Sequence, residues 1–344
     1  MSVVSRLDCH YSNAMYPMLD LTVAIPTFNG AQRLPLVLKH LQAQQNTEGI
    51  AWEILIVDNH SNDNTFDLVR ELQKNWNYPF PLRYCFEAKQ GLAFARYKAV
   101  EEANSEFVGF LDDDNLADPN WVAAACQFGQ SHPQVGAYGS KIVGNFEVEP
   151  PKNFARIASF LAINDRGKTM KPYDKKGKML PPGAGLVVRK RAWLENVPLQ
   201  TRLVGRTTGQ MLASEDVEAL RHIQTGGWEI WYNPAMLVHH IIPRKRLEKA
   251  YLMNLCYGVG LASYPTRTIA LSSWQKPIFL LAYFINDIRR ILLHLLKYRK
   301  AVQTDPVAAS EMQFLIGRLA SPFYFLKNRD RTHQTSNNKR YLPS

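Results

Sequence analysis

Cysteine is scarce and scattered. Cys9, Cys85, Cys126 and Cys256 are the four in 344 residues, and no two form a C-x-x-C pair. Neither a disulfide scaffold nor a structural zinc site is indicated; buried thiols in a reducing cytoplasm are expected. Long apolar runs are missing as well. A bilayer span takes roughly 20 uninterrupted apolar residues. The nearest stretch, 277–296, is broken by Asn286, Asp287, Arg289 and Arg290 and followed by Lys297, Arg299 and Lys300. It reads either as an amphipathic helix lying on a membrane surface or as a helix packed on the body of the protein. The first twenty residues carry Asp8, His10, Asn13 and Asp20 and no apolar core of signal-peptide length. A cytoplasmic location is expected, with peripheral contact on the inner face of the membrane through 274–300 as its extension. Acidic residues are in the minority: 41 Lys and Arg against 30 Asp and Glu leave a net charge of +11, which favours an anionic partner. The positive charge is not gathered into an aromatic-rich basic motif, so nucleic acid is not the expected one. Repeats and low-complexity tracts are absent.

What is present suffices for a sizeable core. At 46% hydrophobic residues the chain suits one large domain or about two. Its most informative stretch is the apolar run 107–111, which ends in Asp112, Asp113 and Asp114. A short apolar run closed by turn residues reads as a buried strand. Three adjacent carboxylates at its carboxyl end repel one another unless something positive, most simply a divalent cation, sits among them. The same residues would also suit a solvated turn capping the helix after Pro119.

Three strand, polar turn and helix units precede that stretch. Strand 21–25 runs into Pro26, Thr27, Phe28, Asn29 and Gly30 and then helix 34–43. Strand 52–57 runs into Asp58, Asn59, His60, Ser61, Asn62 and Asp63 and then helix 65–72. Strand 82–86 runs into the loop 87–91 and helix 93–103. Such alternation implies an α/β domain with a mostly parallel sheet, whose ligands bind beyond the carboxyl ends of the strands. After helix 121–128 come a strand around 135–143 and a long Lys-, Asp- and Pro-rich stretch, 147–182. Pro181, Pro182, Gly183, Ala184 and Gly185 follow, then strand 186–188. Ser214, Glu215, Asp216, Val217 and Glu218 open an amphipathic helix. Strands 228–232 and 236–238 lead into His239, His240, Ile241, Ile242 and Pro243. Taken alone, the carboxylates after Ser214 are ordinary helix-start chemistry.

In this order and spacing, Pro26-Thr27-Phe28-Asn29, Val57-Asp58-Asn59, Gly91-Leu92-Ala93 with Arg96, the acidic triplet, Glu215-Asp216 and the run from His240 to Leu247 resemble the family 2 glycosyltransferases of the GT-A fold. The resemblance covers about 21–247. It implies a Rossmann-like mixed sheet and an inverting, metal-dependent transfer of a single sugar from a nucleoside-diphosphate sugar, UDP foremost, to a saccharide or lipid-linked saccharide in polysaccharide biosynthesis. Asp58 would receive the base. Pro26, Thr27, Phe28, Asn29, Asn59, Lys89, Gln90 and Gly91 would line the nucleoside pocket. Arg96, Asp112 and Asp113 would complete the donor site, with the ribose at Asp113. Asp114, with Asp112 and His240, would hold Mg²⁺ or Mn²⁺. Asp216 would be the general base, Glu215 would hold the acceptor, and Gly183, Ala184 and Gly185 would lie against it. The chemistry of the residues agrees: a carboxylate accepts the imide proton of uracil, and these hard cations prefer oxygen ligands together with the diphosphate. Arg244, Lys245 and Arg246 would neutralise the departing diphosphate, or form a solvated face.

Two positions depart from the family pattern: His60 stands where glycine is frequent and Tyr97 where asparagine is frequent. The Gln-x-x-Arg-Trp motif of processive members is missing, which implies single additions, as in an exopolysaccharide branch such as that of hormogonium polysaccharide. Beyond Leu247 the chain reads as helices over 247–261, 274–297 and 311–326 with a basic tail. The expected organisation is an N-terminal arm (1–20), a catalytic domain (21–247, donor half to about 118) and a helical extension (248–344). Gly258-Val259-Gly260 imitates part of a dinucleotide fingerprint but lies in a helical pattern, not after a strand. The rival expectations are a nucleotidyltransferase, which would need a glycine-rich triphosphate loop that Pro26 to Gly30 does not supply, and a non-catalytic membrane- or polyanion-binding module.

Overall fold

The computed structural model describes residues 19–174, 179–205 and 212–328. Its centre is one mixed sheet. Strands β1 (Leu19–Thr27), β2 (Trp52–Asp58), β3 (Leu82–Phe86) and β4 (Ser105–Phe110) are parallel, and β1 lies between β2 and β4. The second half adds β5 (Asn115–Ala117), β6 (Val135–Phe146), β7 (Lys171–Pro172), β8 (Leu186–Arg189) and β9 (Glu229–Ile242), giving the order β3-β2-β1-β4-β8-β6-β9-β5 with β7 on β9. Strand β8 runs antiparallel to β4 and β6, whereas β9 is parallel to β6. The mixed sheet that the resemblance implies is the one the chain forms.

The order 3-2-1-4 is that of a doubly wound nucleotide-binding half. The chain moves outward from β1 to β3 and then returns to the other side of β1, so a crevice opens between the carboxyl ends of β1 and β4. Thr27 and the acidic triplet sit at those two ends.

Alternation along the strands builds a core on each face. Leu21, Val23 and Ile25 of β1 point to one side, onto α1 (Leu34–Gln42) and α4 (Trp121–Ser131). Ala24, with Leu55 and Val57 of β2, points to the other. There α3 (Leu92–Glu102), α5 (Lys190–Asn196) and α6 (Glu215–Thr225) complete a second cluster. Helix α2 (Thr65–Lys74) closes the β2 to β3 crossover.

Two expected strands are one. Strand β9 runs unbroken through Asn233, Pro234 and Ala235, which lie between the two expected strands. The extra residues bulge from β9 where its register on β6 shifts, Ser140 facing Asn233 and the next residue, Lys141, facing Leu237. The long stretch after β6 begins as a packed brace: Phe154, Ile157 and Leu161 join Ile242, Leu247, Leu252 and Val307 in a separate apolar cluster.

The extension is helical, with α7 (Arg244–Leu247), α8 (Lys249–Leu261), α9 (Ser263–Thr268), α10 (Gln275–Tyr298), α11 (Ala301–Thr304) and α12 (Pro306–Lys327). Helices α8 and α12 cross backbone to backbone. A Cβ on Gly260 would overlap the Phe314 carbonyl, and one on Gly317 the Tyr257 carbonyl. That close approach accounts for Gly260 of the run that imitated a nucleotide fingerprint. Among the described residues no helix is long and apolar enough to cross a membrane.

Candidate active site

The polar loops predicted to converge do so, and hydrogen bonds stitch them together. The Asn59 backbone N–H donates to the Thr27 carbonyl at 2.8 Å. Its side-chain amide donates to the Lys89 carbonyl at 2.8 Å, and its Oδ1 accepts the Gly91 N–H at 2.7 Å. Asn29 Oδ1 accepts the Asn62 N–H at 2.9 Å. The turn at Pro26, the loop after Asp58 and the loop carrying Gln90 therefore form one rim, with Phe28 and Phe86 exposed on it. His60 adopts φ +66, the left-handed conformation that glycine enters freely, and its ring bonds the Ala88 carbonyl. The frequent glycine and this histidine thus answer the same backbone need.

Asp58 is only 2% exposed. Its Oδ1 accepts the Ser61 N–H at 2.9 Å and its Oδ2 the Tyr84 hydroxyl at 2.8 Å. Burial and the Asp58 charge together hold that hydroxyl far above its ordinary pKa. Asp113 is equally occupied. Arg33 forks onto it, Nε to Oδ1 at 2.9 Å and Nη2 to Oδ2 at 2.8 Å, and Thr27 Oγ1 donates to Oδ2 at 2.6 Å. Asp112, with a third of its side chain exposed, is the most open of the triplet. Burial pushes its carboxyl above the usual range against the pull of Arg96, and Asp114 adds to the effect. The solvated-turn alternative fails here, because Asp114 and Asn115 are buried and Asn115 pairs with His240 across β5 and β9.

A cation fits this corner. His240 Nδ1 lies 2.9 Å from the Leu161 carbonyl, which can only accept, so that nitrogen carries the hydrogen and Nε2 presents its lone pair. Nε2 lies 3.6 Å from Asp114 Oδ2, and both point at the Arg246 guanidinium, at 2.9 and 2.8 Å. Burial works to raise the Asp114 carboxyl, and the Arg246 guanidinium on its Oδ2 opposes that and favours the charged form. An imidazole lone pair and a carboxylate aimed at one positive group are the donors a divalent ion uses, with the carbonyl behind the ring fixing its tautomer. Among the described residues no three His, Cys, Asp or Glu side chains form a ready cage. The set therefore suits an ion completed by a substrate's phosphates.

Arg96 joins the two halves. It is 3% exposed, its Nη1 lies 2.9 Å from Glu215 Oε1 and its Nη2 3.5 Å from Asp112 Oδ1. Burial alone would discourage its charge; Glu215, then Asp112 and Asp216, reverse that. A Cβ on Gly183 would overlap the same guanidinium. The Gly183 N–H donates to Asp216 Oδ2 at 2.6 Å, and the Val217 N–H to Oδ1 at 2.7 Å. Ser214 occupies the helix N-cap position with φ +83, and its hydroxyl makes no capping bond. The left-handed turn, not side-chain capping, presents Glu215 and Asp216. Ala184 and Gly185 continue inward, with the Gly185 carbonyl accepting from Ser140 Oγ. Arg33 and Tyr84, which hold Asp113 and Asp58, were missed by sequence reasoning, because neither lies in a motif. A buried carboxylate's need for a partner was the available signal.

A doubly wound donor half, an acidic triplet at its switch point and a second carboxylate pair across the crevice define a nucleotide-sugar-dependent transferase of the GT-A fold. The family profile described as Glycosyl transferase family 2 matches residues 22–195, half of the chain, and the chain belongs to that family. It is 20% identical over 246 residues to a glucosyl-dolichyl phosphate glucuronosyltransferase of Haloferax volcanii, covering 70% of this chain and 76% of that protein. It is 35% identical over 100 residues to a GalNAc(5)-diNAcBac-PP-undecaprenol beta-1,3-glucosyltransferase of Campylobacter jejuni, covering 28% of this chain and 30% of that one. Among solved structures, a mannosyltransferase from Pyrobaculum calidifontis, in complex with GDP-Man and Mn²⁺, shares the fold with a TM-score of 0.54 and 20% identity over 90% of this chain and 88% of its own. The protein is a glycosyltransferase, and neither rival expectation is supported.

Proposed function

We propose an inverting, metal-assisted and non-processive transfer of one sugar from a nucleoside-diphosphate sugar, UDP foremost, to a hydroxyl of a saccharide or lipid-linked saccharide in polysaccharide assembly. The observation that carries this reading is Arg96, whose guanidinium contacts Asp112 on the donor side and Glu215 on the acceptor side. A sugar hydroxyl is a weak nucleophile at neutral pH, and Asp216 beside the Gly183 loop takes its proton as it attacks the anomeric carbon. Glu215, held by Arg96, orients the acceptor. Asp58 and Asn59 with the Thr27 to Asn29 turn and Lys89 to Gly91 receive the nucleoside, and Asp112 and Asp113 the ribose. Asp114 and His240, with Asp112 nearby, would hold Mg²⁺ or Mn²⁺, which supplies positive charge to the leaving diphosphate. Attack opposite that leaving group inverts the anomeric centre. The dolichyl phosphate and PP-undecaprenol in the relatives' names support a lipid-linked acceptor.

Calorimetric titration with nucleoside diphosphates, with and without Mn²⁺, tests the donor site. UDP binding strengthened by the metal is the expected result. No binding of any nucleotide in either condition would end this reading.

A further inference from the structure

Helix α10 turns its more polar side inward. Asp287, 1% exposed, lies in a small cavity between α9, α10 and α12. Arg318 Nη2 approaches it at 2.5 Å and Arg267 Nη1 at 2.8 Å. Two turns along the same row, the His294 ring bonds the Ala308 carbonyl. The opposite row is Ile278, Leu281, Ile285, Ile288, Leu292 and Leu295, repeating every three or four residues, and all six are exposed. Trp274, Leu293 and Leu296 widen it, so the apolar side chains spread over about half the helix circumference, with Arg289 between Ile285 and Leu293 near one edge. Phe284 extends the patch to Phe323 of α12, ring to ring at 6.3 Å. Rotating the helix to bury this face would drag Asp287 out of its two ion pairs and leave the buried Arg318 and the half-buried Arg267 unpaired.

The charges of the same segment select what covers it. Apart from Asp287, the ionised side chains of 274–300 are Lys276, Arg289, Arg290, Lys297, Arg299 and Lys300, all basic. Among the described residues Arg289, Arg290 and Lys297 are exposed and make no ion pair. We propose that α10 lies in the headgroup layer of an anionic membrane, the Ile285 row toward the acyl chains and Arg289, Arg290 and Lys297 on lipid phosphates. A second copy of the chain fits less well: it would bring like charges together, and a helix pair needs a narrower seam than this arc. Trp274 at the start of the helix suits the same interface. This inference does not rest on the sugar-transfer reading.

The test is flotation of the full chain with vesicles of phosphatidylcholine alone and with vesicles in which about a third of the lipid is phosphatidylglycerol. Flotation with the anionic vesicles, much weaker with the neutral ones, is expected. Leu281→Asp with Ile285→Asp abolishes it. Arg289→Gln with Arg290→Gln weakens it about thirtyfold, roughly fivefold for each charge removed. All four side chains are exposed, so thermal unfolding and sugar-nucleotide hydrolysis stay at wild-type levels, which separates lost membrane contact from lost structure or lost chemistry. Absence of flotation on anionic vesicles overturns the proposal. So does flotation that survives both variant pairs, or a lipid-free dimer that Ile285→Asp dissociates while vesicles capture nothing.

Discussion

Two buried arginine clusters use the same ingredients to opposite ends. At the crevice one arginine, Arg96, contacts two carboxylates, Asp112 and Glu215, and a third of Asp112 stays open to solvent. Under α10 one carboxylate, Asp287, holds two arginines, Arg318 and Arg267, behind Leu280, Tyr283, Phe284 and Pro322. The first leaves negative charge facing a cleft where a cation and a phosphorylated sugar can enter. The second closes on itself and fixes the rotation of a helix. Burial of an ion pair therefore does not mark function; the sign left over and the direction it faces do.

Four single substitutions and two double variants sharpen or break that contrast. Asp216→Asn has the largest effect, lowering the transfer rate about 10²- to 10⁴-fold with nucleotide affinity kept; single-turnover kinetics with calorimetry checks it, and unchanged turnover would remove Asp216 from the chemistry. Asp287→Ala strands two arginines and lowers stability by about 3–5 kcal/mol, read by urea denaturation. Replacing Asp287 by Leu together with Arg318 by Met should restore most of that loss with transfer intact, whereas Arg96→Met with Glu215→Leu leaves the enzyme inactive even when folded. If both double variants behave alike, the contrast is false. Arg246→Met removes the positive group between Asp114 and His240 and tightens Mn²⁺ binding to the nucleotide-free protein about tenfold, since a competing charge is gone; titration with Mn²⁺ decides. Smallest is Glu218→Gln. Its carboxylate accepts the Arg202 and Leu203 N–H groups at 2.9 and 2.7 Å, so an amide that offers one acceptor oxygen costs about 1–2 kcal/mol, measured by thermal unfolding.

The donor half was legible because parallel strands write their ends plainly: an apolar run stops, polar residues follow, and the crossover helix restores the 3.6-residue period. Asp58 and the triplet were found that way, and the convergence of their loops followed from topology. The acceptor half was less legible. Strand β9 reads as two because Pro234 breaks the pattern, while the bulge that accommodates it depends on β6, some ninety residues away. Arg33 reaches Asp113 across 80 residues and Tyr84 reaches Asp58 across 26, and such partnerships have no local period to betray them. For α10 the helix was plain from its sequence, but which face is buried depends on Arg318, which no window of neighbouring residues contains.

The glycine crossing of α8 and α12 has a mechanical consequence. With backbone resting on backbone at Gly260 and Gly317, no side chain lies between the two rods to act as a cushion. The paired helices join the end of β9 through α7, so the extension is held stiffly to the strand that carries His240.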